Sequence, residues 1–261
     1  MIMKKYIILL LLNLSIISLN AQDSLSYKYF NSGTAFTMPK HRFELGLLDE
    51  SSYGLKDDLQ LSTPHLLVCY LLPNFQIKKY WGSYHGFYFA SKHGIFYPSI
   101  FMRTVATKGT GGLISPEYKI PDMLAINNQI LVSYLPFTKA IFTAYAGFKF
   151  AIKSANPDPQ STIDFPIFYP RLAVFYNQPE LDAGIDFRGT IITHLGWQFS
   201  VDNYWFSNTK YDYFMEHNLG LTYTSKKQTC RIELGYKLCY GRYVPGNQWH
   251  LLPLAGFAFK L

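Results

Sequence analysis

Apolar and polar residues alternate along most of this chain with a period of two. From Arg231 to Gly241, Ile232, Leu234, Tyr236, Leu238 and Tyr240 share one parity, while Arg231, Glu233, Gly235, Lys237 and Cys239 share the other. Successive side chains of a strand point to opposite faces, so this segment has one oily side and one wet side. The register returns from Asp212 to Thr224, where Tyr213, Met215, Leu219, Leu221 and Tyr223 oppose Glu216, Asn218, Gly220, Thr222 and Thr224. It returns again from Ala140 to Lys153, with Phe142, Ala144, Ala146, Phe148 and Phe150 against Thr143, Tyr145, Gly147, Lys149 and Ala151. After the first residues no run reaches the ~18 consecutive apolar residues of a membrane helix.

This pattern predicts strands near residues 41–48, 57–68, 74–82, 85–97, 123–135, 139–152, 166–177, 211–224, 228–241 and 248–260. Between Leu181 and Asp202 the odd positions stay mostly apolar throughout, which reads as one long strand, with a tight turn near Gly189 as the alternative. The longest connections, Pro98 to Asp122 and Ser154 to Phe165, are separated by two strands and so emerge on the same side. In a membrane barrel with both chain ends on the opposite side, an odd number of strands must follow Phe165 and an odd number must precede Pro98. One long strand over 181–202 meets the first condition. A further strand around Tyr27 to Thr37, ended by Pro39, meets the second, and a periplasmic or lumen-plugging tail is the other reading of that stretch. The expected fold is therefore all-β: a transmembrane antiparallel up-and-down β-barrel of about 12 strands, within a range of about 10 to 14.

A soluble sandwich would alternate in the same way, with its apolar face as the core. Three features favour the barrel. The polar face is rich in Gly and in charges of both signs. Aromatics crowd the connections, with Tyr204, Trp205, Phe206, Tyr211 and Tyr213 in one group and Tyr240, Tyr243 and Trp249 in another, as in an interfacial girdle. The chain ends as a strand with Trp249, Leu251, Ala255, Phe257, Phe259 and Leu261 on one face. That amphipathic end with alternating aromatics resembles the C-terminal signature of bacterial outer-membrane proteins, which implies recognition by the barrel-assembly machinery through Phe257, Phe259 and Leu261. The family's usual last residue is Phe, and here it is Leu. The segment from Ser52 to Leu61 resembles a tight-turn segment common in such barrels, and Leu19-Asn-Ala-Gln22 resembles the leader ends of exported Bacteroidota proteins.

Composition fits this picture. Charged residues make up only 16% of the chain and aromatics 18%, against roughly 25% charged in ordinary soluble domains. Lys4 and Lys5 precede an apolar run from Tyr6 to Leu12 that continues, interrupted, to Leu19. This reads as a secretory signal peptide over residues 1–21, cut after Ala21, with the barrel occupying 22–261. The formal net charge of +7 falls once Lys4 and Lys5 leave. The remaining cations are scattered among strands, which excludes a nucleic-acid patch and suits a partner such as outer-membrane lipid or lipopolysaccharide. Cys230 and Cys239 on one strand would lie ~30 Å apart at ~3.3 Å per residue, too far to bridge, and Cys69 makes an odd third. The seven His are dispersed, so no metal-ligand spacing arises and no cofactor is implied.

Parity places Lys92, Lys149, Asp182, Asp186, Arg188, Glu216, Arg231, Glu233 and Lys237 inside the barrel, with Glu216 near Arg231 or Lys237. Such a lining is either a charged constriction that selects solutes or a set of ion pairs required by burial alone. A narrow pore or binding channel for small solutes or lipids is the leading function. The rivals are a membrane-embedded lipid hydrolase or deacylase, and a non-conducting structural barrel that binds a partner through its external loops. Ser83-Tyr84-His85 and Ser91-Lys92-His93 each put Ser and His on one face, as nucleophile and base require. Outer-membrane lipases and lipid A deacylases carry the opposite order, His-x-Ser, and no acid partner is evident in this chain. Asp158, Asp164, Asp212 and Glu50 fall in connections without calcium-loop spacing.

Overall fold

The computed structural model describes residues 32–46, 50–64, 68–69, 71–137, 140–163, 166, 168–207, 212–226, 229–243 and 246–260. The leader expected over 1–21, residues 27–31 of the expected first strand, and Leu261 lie outside them. There are 12 strands: β1 (Phe43–Gly46), β2 (Ser51–Lys56), β3 (Leu59–Thr63), β4 (Asn74–Tyr84), β5 (Phe87–Phe96), β6 (Met123–Phe137), β7 (Ala140–Lys153), β8 (Glu180–Ile192), β9 (Leu195–Phe206), β10 (Tyr213–Thr224), β11 (Cys230–Tyr243) and β12 (Gly246–Lys260). Each pairs antiparallel with its neighbours in sequence, and β1 pairs with β12 to close the barrel. Tight turns gather at one end, such as His85–Gly86, where φ of 49° and 81° gives the paired left-handed residues of a two-residue hairpin. The long connections, 97–122 and 154–179, leave from the other end.

The alternation turns the molecule inside out relative to a soluble barrel. Leu251 is 68% exposed and Ile130 65%, whereas Glu180 is 0% and Glu44 2% exposed. Exposed Phe75, Ile77, Phe148, Phe150, Leu221, Leu234, Phe257 and Phe259 extend the outer apolar belt around the barrel. A surface of that size on a water-soluble protein would be an aggregation site, and it is what acyl chains solvate.

The total of 12 strands agrees with the sequence pattern, but the strands are not all the expected ones. Residues 32–37 are not a strand; Thr34, Ala35, Phe36 and Thr37 are buried inside the barrel, where Lys78 Nζ donates to Thr34 O and the Ala35 amide donates to Ser133 Oγ. The missing strand is β2, which forms a hairpin with β3 around Asp57 and Asp58; the expected strand over 57–68 is confined to β3. Within the expected strand over 166–177 the structure has instead α2 (Tyr169–Leu172) and a 3-10 turn at Ala173–Phe175. Pro166 and Pro170 cannot serve a sheet ladder, and the continuous apolar run Leu172-Ala173-Val174-Phe175 is buried as a helical plug instead of a strand. Residues 181–202 are not one strand but the arms of the β8–β9 hairpin, which turns at Thr193–His194 and not near Gly189. Odd residues pair with odd ones, Phe187 with Phe199 and Ile185 with Val201, so the apolar parity runs through the turn without a break. One strand lost and one gained on each side of the long connections leave the parity argument for their shared side intact.

The largest apolar core fills the mouth at the loop end. Tyr169, Leu172, Val174 and Phe175 pack in one cluster with Phe96 of β5, Met123 of β6, Ala151 of β7, Phe206 of β9, Phe214 of β10 and Tyr243 of β11. The Tyr169 ring packs tilted at 5.0 Å from both Phe214 and Tyr243. Helix α1 (Ser99–Val105) belongs to the same cluster through Phe101 and Met102 and is pinned by Ser99, which receives the Met123 amide at 2.8 Å and donates to Pro121 O at 2.9 Å.

Candidate functional site

Residues 33–38 close the turn end of the lumen. The Ala35 amide donates to Ser133 Oγ at 2.8 Å, the Met38 amide to Gln60 Oε1 at 2.8 Å, and Thr37 Oγ1 to Asp57 O at 2.6 Å. Phe36 packs on Tyr88 at 4.8 Å and against Ile141. The lumen is thus filled from one end by a loop and from the other by the N-terminal segment.

Between the two lies a polar chamber of about 180 Å³, bounded by Gln76, Lys92, Asn127, Gln129, Lys149, Arg171, Glu180, Asp182, Tyr204 and Glu216. Its charges are arranged by sheet register. Lys149 and Glu180 are direct cross-strand partners joined at 2.6 Å. Lys237 reaches Glu216 at 2.6 Å. Glu216 also stands opposite Asp202, a like-charge pairing that costs energy unless compensated. Compensation comes from Lys237 on one carboxylate and, on the other, from Tyr145 Oη donating at 2.6 Å and Asn218 Nδ2 at 3.3 Å.

All nine lumen candidates lie on the inward parity. Lys92 pairs with Glu50 at 3.1 Å, and Asp182 accepts from Gln129. Asp186 and Arg188, two apart on β8, form a bidentate pair at 2.6 and 2.8 Å against which Gly33 packs. A Cβ on Gly33 would stand 2.7 Å from Arg188 Nη2, and its φ of +71° also favours glycine. Glu216 meets Lys237, whereas Arg231 turns to Glu44 at 3.0 Å; Glu233 meets Gln198. Sequence reasoning passed over Glu44, Lys78, Glu180 and Asp202, although parity carried along β1, β4, β8 and β9 would have found them; Tyr145 was already on the polar face of its strand, and Tyr204, expected in an interfacial girdle, lines the chamber instead. Arg171 and Glu50 stand in connections, where alternation gives no signal.

Among the described residues no group of three or more His, Cys, Asp or Glu is placed to hold a metal ion. The cysteines are free. Phe257 and Phe259 face outward on β12.

The two Ser-x-His pairs fare differently. Ser83 and His85 are both exposed at the turn end, and the His85 ring meets Tyr84 edge-on at 4.1 Å instead of meeting Ser83. Ser91 and His93 lie on the outward face of β5, with His93 Nε2 at 3.1 Å from Ser91 Oγ and His93 Nδ1 at 2.8 Å from Asn128 Oδ1.

Comparison with solved structures finds this architecture in known proteins. An outer-membrane channel from Pseudomonas putida F1 superposes with a TM-score of 0.54 at 8% identity, over 88% of this chain and 98% of that one. The fold is that of an outer-membrane channel. The outer-membrane channel DcaP of Acinetobacter baumannii also matches, with a TM-score of 0.39 at 9% identity, over 93% of this chain and 67% of that one. No protein-family model and no curated sequence matches the chain. In this chain the barrel is narrowed by two inserts, the α2 loop and residues 33–38, with the two-signed chamber between them.

Proposed function

We propose that the protein is an exported outer-membrane channel, held shut in this conformation, that passes small polar solutes through a lumen of balanced charge. The observation that carries the reading is the chamber itself. A closed sheet with an acyl-compatible exterior encloses a wet, ion-paired interior, and each end is filled by a segment outside the sheet, which can move without breaking a strand pairing. Lys92, Lys149 and Lys237 stand beside Glu50, Glu180 and Glu216, so the lining offers partners to both signs and favours size over net charge as the criterion. In this reading residues 1–21 are removed after Ala21 on export, and the strand ending at Phe257, Phe259 and Leu261 is read by the barrel-assembly machinery, with lipid and lipopolysaccharide around the belt.

Planar-bilayer recording tests it. The wild-type protein is expected to open rarely and to small conductance, with weak preference between cation and anion. Replacing Phe168–Asn177 with a Gly-Ser linker should raise the open probability and the step size several-fold. Silence from both proteins, with the barrel folded, would remove the channel reading.

A further inference from the structure

The outer face of the barrel carries a polar trio where hydrocarbon-compatible residues would be expected. Ser91 and His93 on β5 and Asn128 on β6 share the outward parity with Ile77, Ile95, Ile130 and Phe148, all exposed. His93 is exposed and Asn128 half-buried, whereas Ser91 is only 7% exposed beside the Trp81 indole, and polar groups set into an acyl-facing surface are costly unless they are partnered. Here the three are linked in one direction. With the Asn128 amide oxygen turned to His93 Nδ1 at 2.8 Å, the tautomer protonated at Nδ1 fits that contact and leaves Nε2 as the lone-pair nitrogen, which faces Ser91 Oγ at 3.1 Å. That is the order of nucleophile, general base and orienting group required for acyl transfer. His93 and Asn128 are direct register partners, so the sheet itself fixes the ring orientation.

Two further groups complete the surroundings. Trp81 Nε1 donates to Ser91 Oγ at 2.9 Å and so holds the hydroxyl in place. Lys79, the register partner of Ser91, stands 5.9 Å from the Trp81 ring and pairs with Asp58. The rim is low at this point: the β2–β3 hairpin turns at Asp57 and Asp58, beside Tyr80, so Trp81–Tyr84 of β4 run past it. Ser91, through its register partner Lys79, therefore stands level with the first residue of β3 beyond that turn, close to the turn-end rim.

We propose that Ser91, His93 and Asn128 form a lipid-facing esterase site for the acyl esters of membrane glycerolipids, with Ser91 and His93 catalytic and Asn128 positioning. Ser91 Oγ attacks the ester carbonyl while His93 Nε2 takes its proton. The carbon–oxygen bond to the glycerol then breaks, and the departing alkoxide takes that proton from His93. Water, deprotonated by His93, attacks the acyl-serine, and the proton returns to Ser91 Oγ as the fatty acid leaves. The net reaction is ester plus water to carboxylic acid plus alcohol. The proposal rests on the membrane placement argued above but not on conductance.

The test uses the purified full-length barrel in mixed micelles of phosphatidylethanolamine and detergent, reading released fatty acid. Wild type should release it, Ser91→Ala and His93→Ala at least 100-fold more slowly. Asn128→Ala should lower kcat at unchanged KM, with recovery in Asn128→Asp and a displaced pH profile. A long-chain alkyl fluorophosphonate should modify Ser91 in wild type, as located by mass spectrometry, and fail to do so in His93→Ala. This labelling keeps the test decisive if a variant folds poorly. No fatty acid and no label on the folded wild-type protein, or equal rates in Ser91→Ala, would overturn the proposal. Failure of the membrane placement would show separately, as a protein that stays monodisperse in buffer without detergent.

Discussion

Glu180 has no exposed surface and Lys149 little, so their 2.6 Å contact is a buried ion pair. Removing one partner leaves the other charged in a poorly solvating site, which costs about 3 kcal/mol or more, while removing both is close to neutral. Lys149→Met should therefore destabilise the barrel by about 3 kcal/mol in urea unfolding followed by tryptophan fluorescence, and Lys149→Met with Glu180→Leu should recover most of that loss. A double variant as unstable as the single would mean the pair is not the unit. Asp122, at the exposed base of the 97–122 connection, offers the opposite case. Tyr97 Oη at 2.5 Å, and then Arg103 at 2.8 Å, hold its carboxyl below the usual 3.8. A depressed acid stabilises above its unfolded value and loses that contribution as pH falls through the folded one. Hydrogen exchange in α1, corrected for the intrinsic rate, should stay constant from neutral pH down to about 4 and rise below it, and Asp122→Asn should show the looser behaviour already at neutral pH.

Strands differ greatly in how firmly they are held. β11 and β12 pair along their whole lengths, whereas β1 contributes three register pairs to β12 and two to β2, so the closing seam is short. Glu44 reinforces it from inside, bridging Arg231 at 3.0 Å and Lys260 at 3.5 Å. Glu44→Ala should lower the melting midpoint by roughly 6 to 12 °C, the equivalent of ~3 kcal/mol in a chain of this size, with heat-modified mobility on gels as the readout. The same contrast governs what could be read from the sequence. Long strands such as β7, β10 and β11 announced themselves because ten or more alternating positions leave little doubt about the face. β2 did not, since Ser51-Ser-Tyr-Gly-Leu-Lys56 is short and its inward positions are small, with no contrast to alternate against. The β8–β9 turn vanished for the reverse reason: parity is conserved across it. The mouth plug was mistaken for a strand because apolar content alone does not separate a buried strand from a buried helical turn. For the lining, parity reached charges on the strands with the clearest alternation, passed over Glu44, Lys78, Glu180 and Asp202, and gave no signal on a connection, and the bonding of His93 to Asn128 depends on a register between β5 and β6 that composition does not encode.

On the scale of the whole molecule, the barrel has two hydrophobic surfaces with different solvents. One, the cluster around Tyr169, Leu172 and Phe175, is packed like the core of a soluble protein and would form in water. The other, the outer belt, has no protein partner among the described residues and requires lipid. Leu251, near the middle of β12, separates these solvents in a single substitution. On a water-exposed surface Leu251→Arg would be neutral to within about 0.5 kcal/mol and would improve solubility. Facing the bilayer midplane, an arginine costs ~2 to 4 kcal/mol, falling towards zero near the interfaces. Leu251→Arg should thus lower folding stability in phospholipid vesicles by about 3 kcal/mol and reduce the folded fraction. The same change at Trp249, closer to the loop end of the strand, should cost less for the charge alone. A neutral or favourable result at Leu251 would place the belt in water and leave the alternation to be explained by a partner protein.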